Sequence, residues 1–133
     1  MNEPGWIYSA VLIATHQELI AEHGGIEGIR DHNLLESACA APKQLYHYSN
    51  PKPSLTELSA RYAYSITRNP PFRDGNKRMA ALACELFLEI NDCMLATSDE
   101  EAYFVFIDLS SGNFSEKDLL NWLNQKIIPQ LLA

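Results

Sequence analysis

Cysteine is scarce in this sequence, and its number is odd. Cys39, Cys84 and Cys93 show neither a CxxC spacing nor a Cys/His ligand pattern, which excludes a disulfide framework and a structural zinc site. They read as free thiols in a reducing cytoplasm. Long apolar runs are also missing: no stretch approaches the ~18 apolar residues of a membrane-spanning helix, and no basic segment followed by an apolar run opens the chain. The expected location is the cytoplasm. Positive charge is in short supply as well, because 10 Lys and Arg against 17 Asp and Glu give −7. That balance argues against direct nucleic-acid binding and against an anionic membrane surface. What remains is a chain of 133 residues, 47% of them hydrophobic, enough to bury one core without cross-links. One domain over 1–133 is expected.

The few cations are unevenly spread. Between Arg61 and Arg78, the residues Arg61, Arg68, Arg73, Lys77 and Arg78 face Asp74 alone, so this stretch carries +4 and the rest of the chain −11. Such clustering points to a local anion site on an otherwise acidic protein. Charge alone equally allows a basic helix end neutralised by neighbouring carboxylates.

Apolar residues recur at helical spacing almost throughout, and no alternating run with hairpin turn chemistry stands out. The expected class is all-α, a compact bundle of about six helices. Val11, Leu12, Leu19 and Ile20 mark a first helix over about 9–23, stopped by Gly24-Gly25 and followed by a Gly-rich turn to Gly28. Asp31 caps a short second helix through Leu34, Leu35 and Ala38, ending before Pro42. The stretch from Tyr46 to Pro53, with two prolines and Ser49-Asn50, reads as a loop. Ser54 and Glu57 form a capping box for a third helix to about Arg68. The fourth helix starts at Gly75 or Asn76 and carries Met79, Ala80, Leu82, Ala83, Leu86, Phe87 and Ile90, an apolar surface wide enough for the central position. Ser98 with Glu101 forms a second capping box that opens a fifth helix ending before Gly112, and Ser115 caps a sixth through Ile127, with Pro129 in its last turn.

The stretch from Asn69 to Arg78, Asn-Pro-Pro-Phe-Arg-Asp-Gly-Asn-Lys-Arg, is the most informative. Two prolines stiffen its entry, Phe72 offers an apolar loop anchor, and Asp74-Gly75-Asn76 opens the fourth helix. Free backbone N–H groups and the helix dipole favour an anion at such a terminus. Lys77 and Arg78 in the first turn are unfavourable there unless an anion lies between them and the amides. Asp74 could hold a divalent cation on that anion, which makes the ensemble a candidate Mg-phosphate site. An Asp-capped helix with two solvated cations is the competing reading.

This segment resembles the signature of the Fic/Doc superfamily, His-x-Phe-x-Asp-Gly/Ala-Asn-Lys-Arg. Asn69, Pro71, Phe72, Asp74, Asn76, Lys77 and Arg78 match, and Gly75 is allowed by the pattern. Gly24-Gly25 through Gly28-Ile29-Arg30-Asp31, then Leu34-Leu35-Glu36-Ser37-Ala38, resemble the upstream block of the death-on-curing (Doc) branch. Phe87-Leu88-Glu89-Ile90-Asn91 resembles the end of its central helix, with Asp92 where Gly is common. The likeness extends over about residues 8–125.

The resemblance implies the toxin of a bacterial toxin–antitoxin pair, a phosphotransferase that moves the terminal phosphate of ATP to a threonine of elongation factor Tu and inhibits translation. It implies Mg²⁺ on Asp74, an anion-binding turn built with Gly75 and Asn76, nucleotide phosphates on Lys77 and Arg78, and an antitoxin whose C-terminal segment blocks the toxin. Lys77 stands where the AMP-transferring Fic enzymes have Gly, which sets that alternative second. The inhibitory Ser/Thr-x-x-x-Glu-Gly/Asn motif of many Fic proteins is missing; Thr97 to Glu101 comes nearest, followed by Ala102.

The signature histidine is also missing, because Pro70 occupies its position. In the family that histidine accepts the proton of the target hydroxyl. Proline has no ionisable group, and general-base catalysis is worth about 10² to 10⁴ in rate. None of His16, His23, His32 and His47 lies in the motif; His16 and His23 share the first helix and read as surface or partly buried residues. The expected protein therefore binds nucleotide but transfers poorly. Pro70 belongs either to a decayed or repurposed copy or to a toxin whose active form its host could not carry. A non-catalytic binding module, acting as decoy or co-repressor, is the alternative from a different class.

Overall fold

A computed structural model of the chain describes residues 2–130; the ends of the expected domain, residue 1 and 131–133, lie outside them. The order is α1 (Ser9–His23), α2 (His32–Tyr48), α3 (Leu55–Arg68), α4 (Asn76–Ile90), β1 (Cys93–Leu95), α5 (Asp99–Ser111), α6 (Glu116–Lys126) and β2 (Ile127–Pro129). Six helices dominate, as the periodicity predicts.

The helix starts follow from their caps. Asp31 accepts from the N–H groups of Asn33 and Leu34, and Ser54 and Ser115 form complete capping boxes with Glu57 and Asp118. Ser98 accepts from the Glu101 N–H, but the return half of that box is absent. The Glu101 carboxylate instead meets Thr97, the Trp122 indole N–H and Lys126.

Helix α4 is the central one. Met79, Ala80, Ala83, Cys84, Phe87 and Leu88 are buried, although Ile90 at its far end is exposed. It packs mainly on α3, through Leu58, Tyr62, Ala63 and Ile66, with α1 and α5 on its other sides. The Ile7 N–H donates to the Tyr62 hydroxyl at 3.1 Å, and Trp6 stacks on Phe87, so the segment before α1 is fixed to the same core. Each large side chain buried in this way contributes roughly 1.5–3 kcal/mol.

Three expectations are corrected. Helix α2 does not stop before Pro42; it continues to Tyr48, with Pro42 and Tyr46 buried, because packing against α3 offsets the backbone hydrogen bond that proline removes. The loop between α2 and α3 is accordingly shorter than Tyr46 to Pro53. The sixth helix ends at Lys126, and Ile127 to Pro129 pair antiparallel with Cys93 to Leu95, in register Cys93–Pro129, Met94–Ile128 and Leu95–Ile127. Pro129 therefore lies in a short strand, not in a last helical turn.

Candidate anion-binding site

Sequence places the loop before α4 between two prolines and a glycine, and the structure joins it to the Gly-rich turn after α1. The Arg30 side chain donates to the Pro70 carbonyl through Nε at 2.9 Å and through Nη2. The Pro71 carbonyl accepts from the Arg30 and Asp31 N–H groups at 2.7 and 3.1 Å. Ile29 and Phe72 then form an antiparallel bridge, and the Arg73 N–H donates to the Gly28 carbonyl at 3.1 Å. Four consecutive residues, Pro70 to Arg73, are thus held by a turn about 40 positions away.

Phe72 is 1% exposed and stacks face to face on the His16 ring, centroids 4.0 Å apart. The Asn76 carboxamide accepts from the Phe72 N–H and donates to the Phe72 carbonyl, at 3.1 and 2.9 Å. Asn76 therefore shapes the turn from below. Gly75 adopts φ 76°, and a β-carbon there would lie 3.3 Å from Leu19 Cδ2. Asp74 is exposed; its Oδ2 accepts from the Ile26 N–H at 3.0 Å and its Oδ1 from the Gly75 N–H at 2.9 Å. Those two donors, Ile26 first, hold its carboxyl below the ordinary value.

The charges of this helix terminus stand out from those of the neighbouring helices. Helices α3, α5 and α6 carry acids in their first turns and α1 and α2 carry none, whereas α4 carries the cations Lys77 and Arg78 there. Among the described residues, Arg73, Lys77 and Arg78 have no carboxylate partner. They border a cleft of about 860 Å³ with Gly75 and Asn76 at its base, Leu19, Ile20 and His23 of α1 on one side, and Tyr103, Phe106 and Ile107 of α5 on the other. The remaining two cations of the basic stretch are occupied elsewhere: Arg61 pairs with Glu116, and Arg68 lies over the Tyr64 ring.

A profile of the Fic/DOC family matches residues 6–88, which contain both the Gly-rich turn after α1 and the loop before α4. The chain belongs to the Fic/DOC family. It is also 38% identical over 73 residues to a protein of Mycolicibacterium smegmatis (strain ATCC 700084 / mc(2)155) named Toxin Doc, an alignment covering 55% of this chain and 56% of that protein. The chain thus spans about half the length of this curated relative.

Placed on the Fic/DOC fold, the residues singled out in the sequence come together at one end of α4. Pro70, Phe72, Asp74, Gly75, Asn76, Lys77 and Arg78 all lie in the loop or in the first turn. Pro70 is half-buried, and only its carbonyl is engaged. The sequence gives no warning of His16. Expected to be a surface or partly buried residue, it is 3% exposed, and its Nε2 lies 2.8 Å from the Asp74 carbonyl, 58 positions away. A carbonyl only accepts, so Nε2 carries the proton and is committed to that bond. The ring does not line the cleft bordered by Lys77 and Arg78. Glu101, in the nearest approach to an inhibitory motif, is engaged with Lys126 and Trp122 and with none of the signature residues. Among the described residues no cluster of three metal-ligating side chains occurs, and no helix is long and apolar enough to cross a membrane.

Proposed function

We propose that this chain is the toxin of a bacterial toxin–antitoxin pair. On this reading it moves the terminal phosphate of ATP to a threonine hydroxyl of elongation factor Tu, with Pro70 leaving the transfer step impaired. The observation that carries the phosphate reading is the α4 terminus, where two cations without carboxylate partners sit on the positive end of a helix dipole beside a cleft of nucleotide size. The likeness to Toxin Doc supports the toxin reading.

Phosphoryl transfer needs little covalent chemistry from the protein; positioning and charge neutralisation supply most of the rate. Lys77 and Arg78 neutralise phosphate oxygens, while Asn76 and Gly75 hold the turn that presents them. Asp74 fits a Mg²⁺ ligand: it is exposed, and each of its oxygens accepts one N–H and keeps a lone pair. Mg²⁺ ordinarily takes one or two carboxylates plus substrate phosphates, and it neutralises phosphate charge when bound. The hydroxyl proton of the acceptor has no base at position 70.

The partner of such a toxin is an antitoxin whose C-terminal segment binds as a helix. The apolar walls of the cleft, with Tyr103 56% exposed, offer a surface for it. A non-catalytic binding module remains the second reading, and Pro70 is the observation that favours it. An AMP-transferring activity is set aside by Lys77. Expression of the chain and its Pro70→His variant from a tightly repressed promoter tests the assignment. Growth arrest on induction of Pro70→His alone is expected, and a variant as harmless as its parent would sink the toxin reading.

A further inference from the structure

The role of His16 follows from the geometry of one peptide bond. In a trans peptide the C=O and N–H point in opposite directions. The His16 Nε2–H holds the Asp74 carbonyl at 2.8 Å, against α1. The N–H of the same peptide, that of Gly75, is therefore turned away from α1 to the exposed side of the loop, where Asp74 Oδ1 meets it at 2.9 Å. This N–H belongs to the residue that caps α4, in the anion-favouring position. Gly75 sits at φ 76°, a region reached from ordinary backbone by rotating that peptide, and glycine itself presents no steric barrier to the opposite orientation. Two bonds hold the observed orientation: Asp74 Oδ1 on the N–H side, its carboxylate braced by the Ile26 N–H, and His16 on the carbonyl side.

We propose that His16 is a positioning residue for the phosphate site: it fixes the Asp74–Gly75 peptide so that the Gly75 N–H, on the exposed side of the loop, holds the Asp74 carboxylate in place at the site. Two features of the ring make it suited to this. Stacking on Phe72 at 4.0 Å with planes 6° apart fixes its tilt, and 3% exposure removes water as a competing partner for the carbonyl. The Arg30 and Asn76 contacts anchor the loop at Pro70 and Phe72, upstream of this peptide. Only His16 among the described side chains bonds the Asp74 carbonyl. The inference rests on the reading of this terminus as a phosphate site.

Two substitutions separate packing from positioning. His16→Phe keeps a ring against Phe72 and removes the donor; His16→Gln keeps an N–H donor and removes the ring. Binding of ATP with Mg²⁺ is measured by calorimetry on the full chain, alongside the thermal midpoint. The parent binds, His16→Phe loses about 10-fold or more in affinity, as expected for a lost hydrogen bond to a charged group, and His16→Gln stays within about 3-fold of the parent even with a lower midpoint. Parental affinity in His16→Phe overturns the proposal, as does a folded His16→Gln that no longer binds. Should His16→Phe fail to fold, His16→Gln decides alone. A parent that binds no ATP removes the phosphate reading itself, and the proposal with it.

Discussion

Asn76 shows how much one side chain does at this site. Both ends of its carboxamide are spent on the main chain of Phe72, so Asn76→Ala leaves a part-buried N–H and C=O without partners. A loss of about 1–3 kcal/mol is expected, measured by urea unfolding, together with weaker ATP binding because the turn loosens. Unchanged stability would mean that the loop is held by its other contacts alone. At this scale the sequence was informative where partners are close along the chain. Phe72 as anchor and Asn76 as part of the turn follow from a ten-residue segment. The roles of Arg30 and His16 do not, because their acceptors, the carbonyls of Pro70 and Asp74, lie 40 and 58 positions away and a backbone carbonyl leaves no trace in residue identity.

On the proposed function, helix α4 trades stability for binding. Lys77 opposes the helix dipole, so Lys77→Gln should raise the stability of the ligand-free protein by about 0.3–1 kcal/mol while weakening ATP binding. Thermal melts with and without ATP and Mg²⁺ check both halves, and a variant that is less stable and binds equally well contradicts the account. A cap without such a role behaves differently: Ser54→Ala should cost about 1 kcal/mol and leave binding unchanged. Helix starts were legible because Asp31, Ser54, Ser98 and Ser115 are local signals. Two ends were not. Pro42 signals a stop, yet packing of α2 on α3 carries the helix past it, and β1 and β2 are three-residue strands whose pairing depends on contacts far apart in sequence.

Across the whole molecule, burial sets the response to alkali. It pushes the Cys39 thiol up to about 11 and the Cys84 thiol and Tyr62 hydroxyl up to about 12, from 9.0, 9.0 and 10.0. The folded chain therefore keeps protons that the unfolded chain releases. The stability from these groups is complete below pH 9 and is lost as pH rises from about 9 towards 12. Denaturant midpoints should hold between pH 8 and 9 and fall at pH 10.5, and a flat profile would contradict the burial of these three side chains. The all-α class was legible from periodicity alone. The cleft between α1 and α5 was not, because it forms where two helices distant in sequence flank the same end of α4.

On the proposed function, the phosphate site is complete but for its base. The backbone at position 70 is held through its carbonyl, so histidine there should leave the fold intact. The direct measurement is transfer of labelled terminal phosphate from ATP to elongation factor Tu by the Pro70→His protein. The account predicts transfer at least about 10²-fold faster than by the parent, abolished again when Lys77→Ala is added. A folded Pro70→His protein that binds ATP and transfers no more than the parent would contradict it.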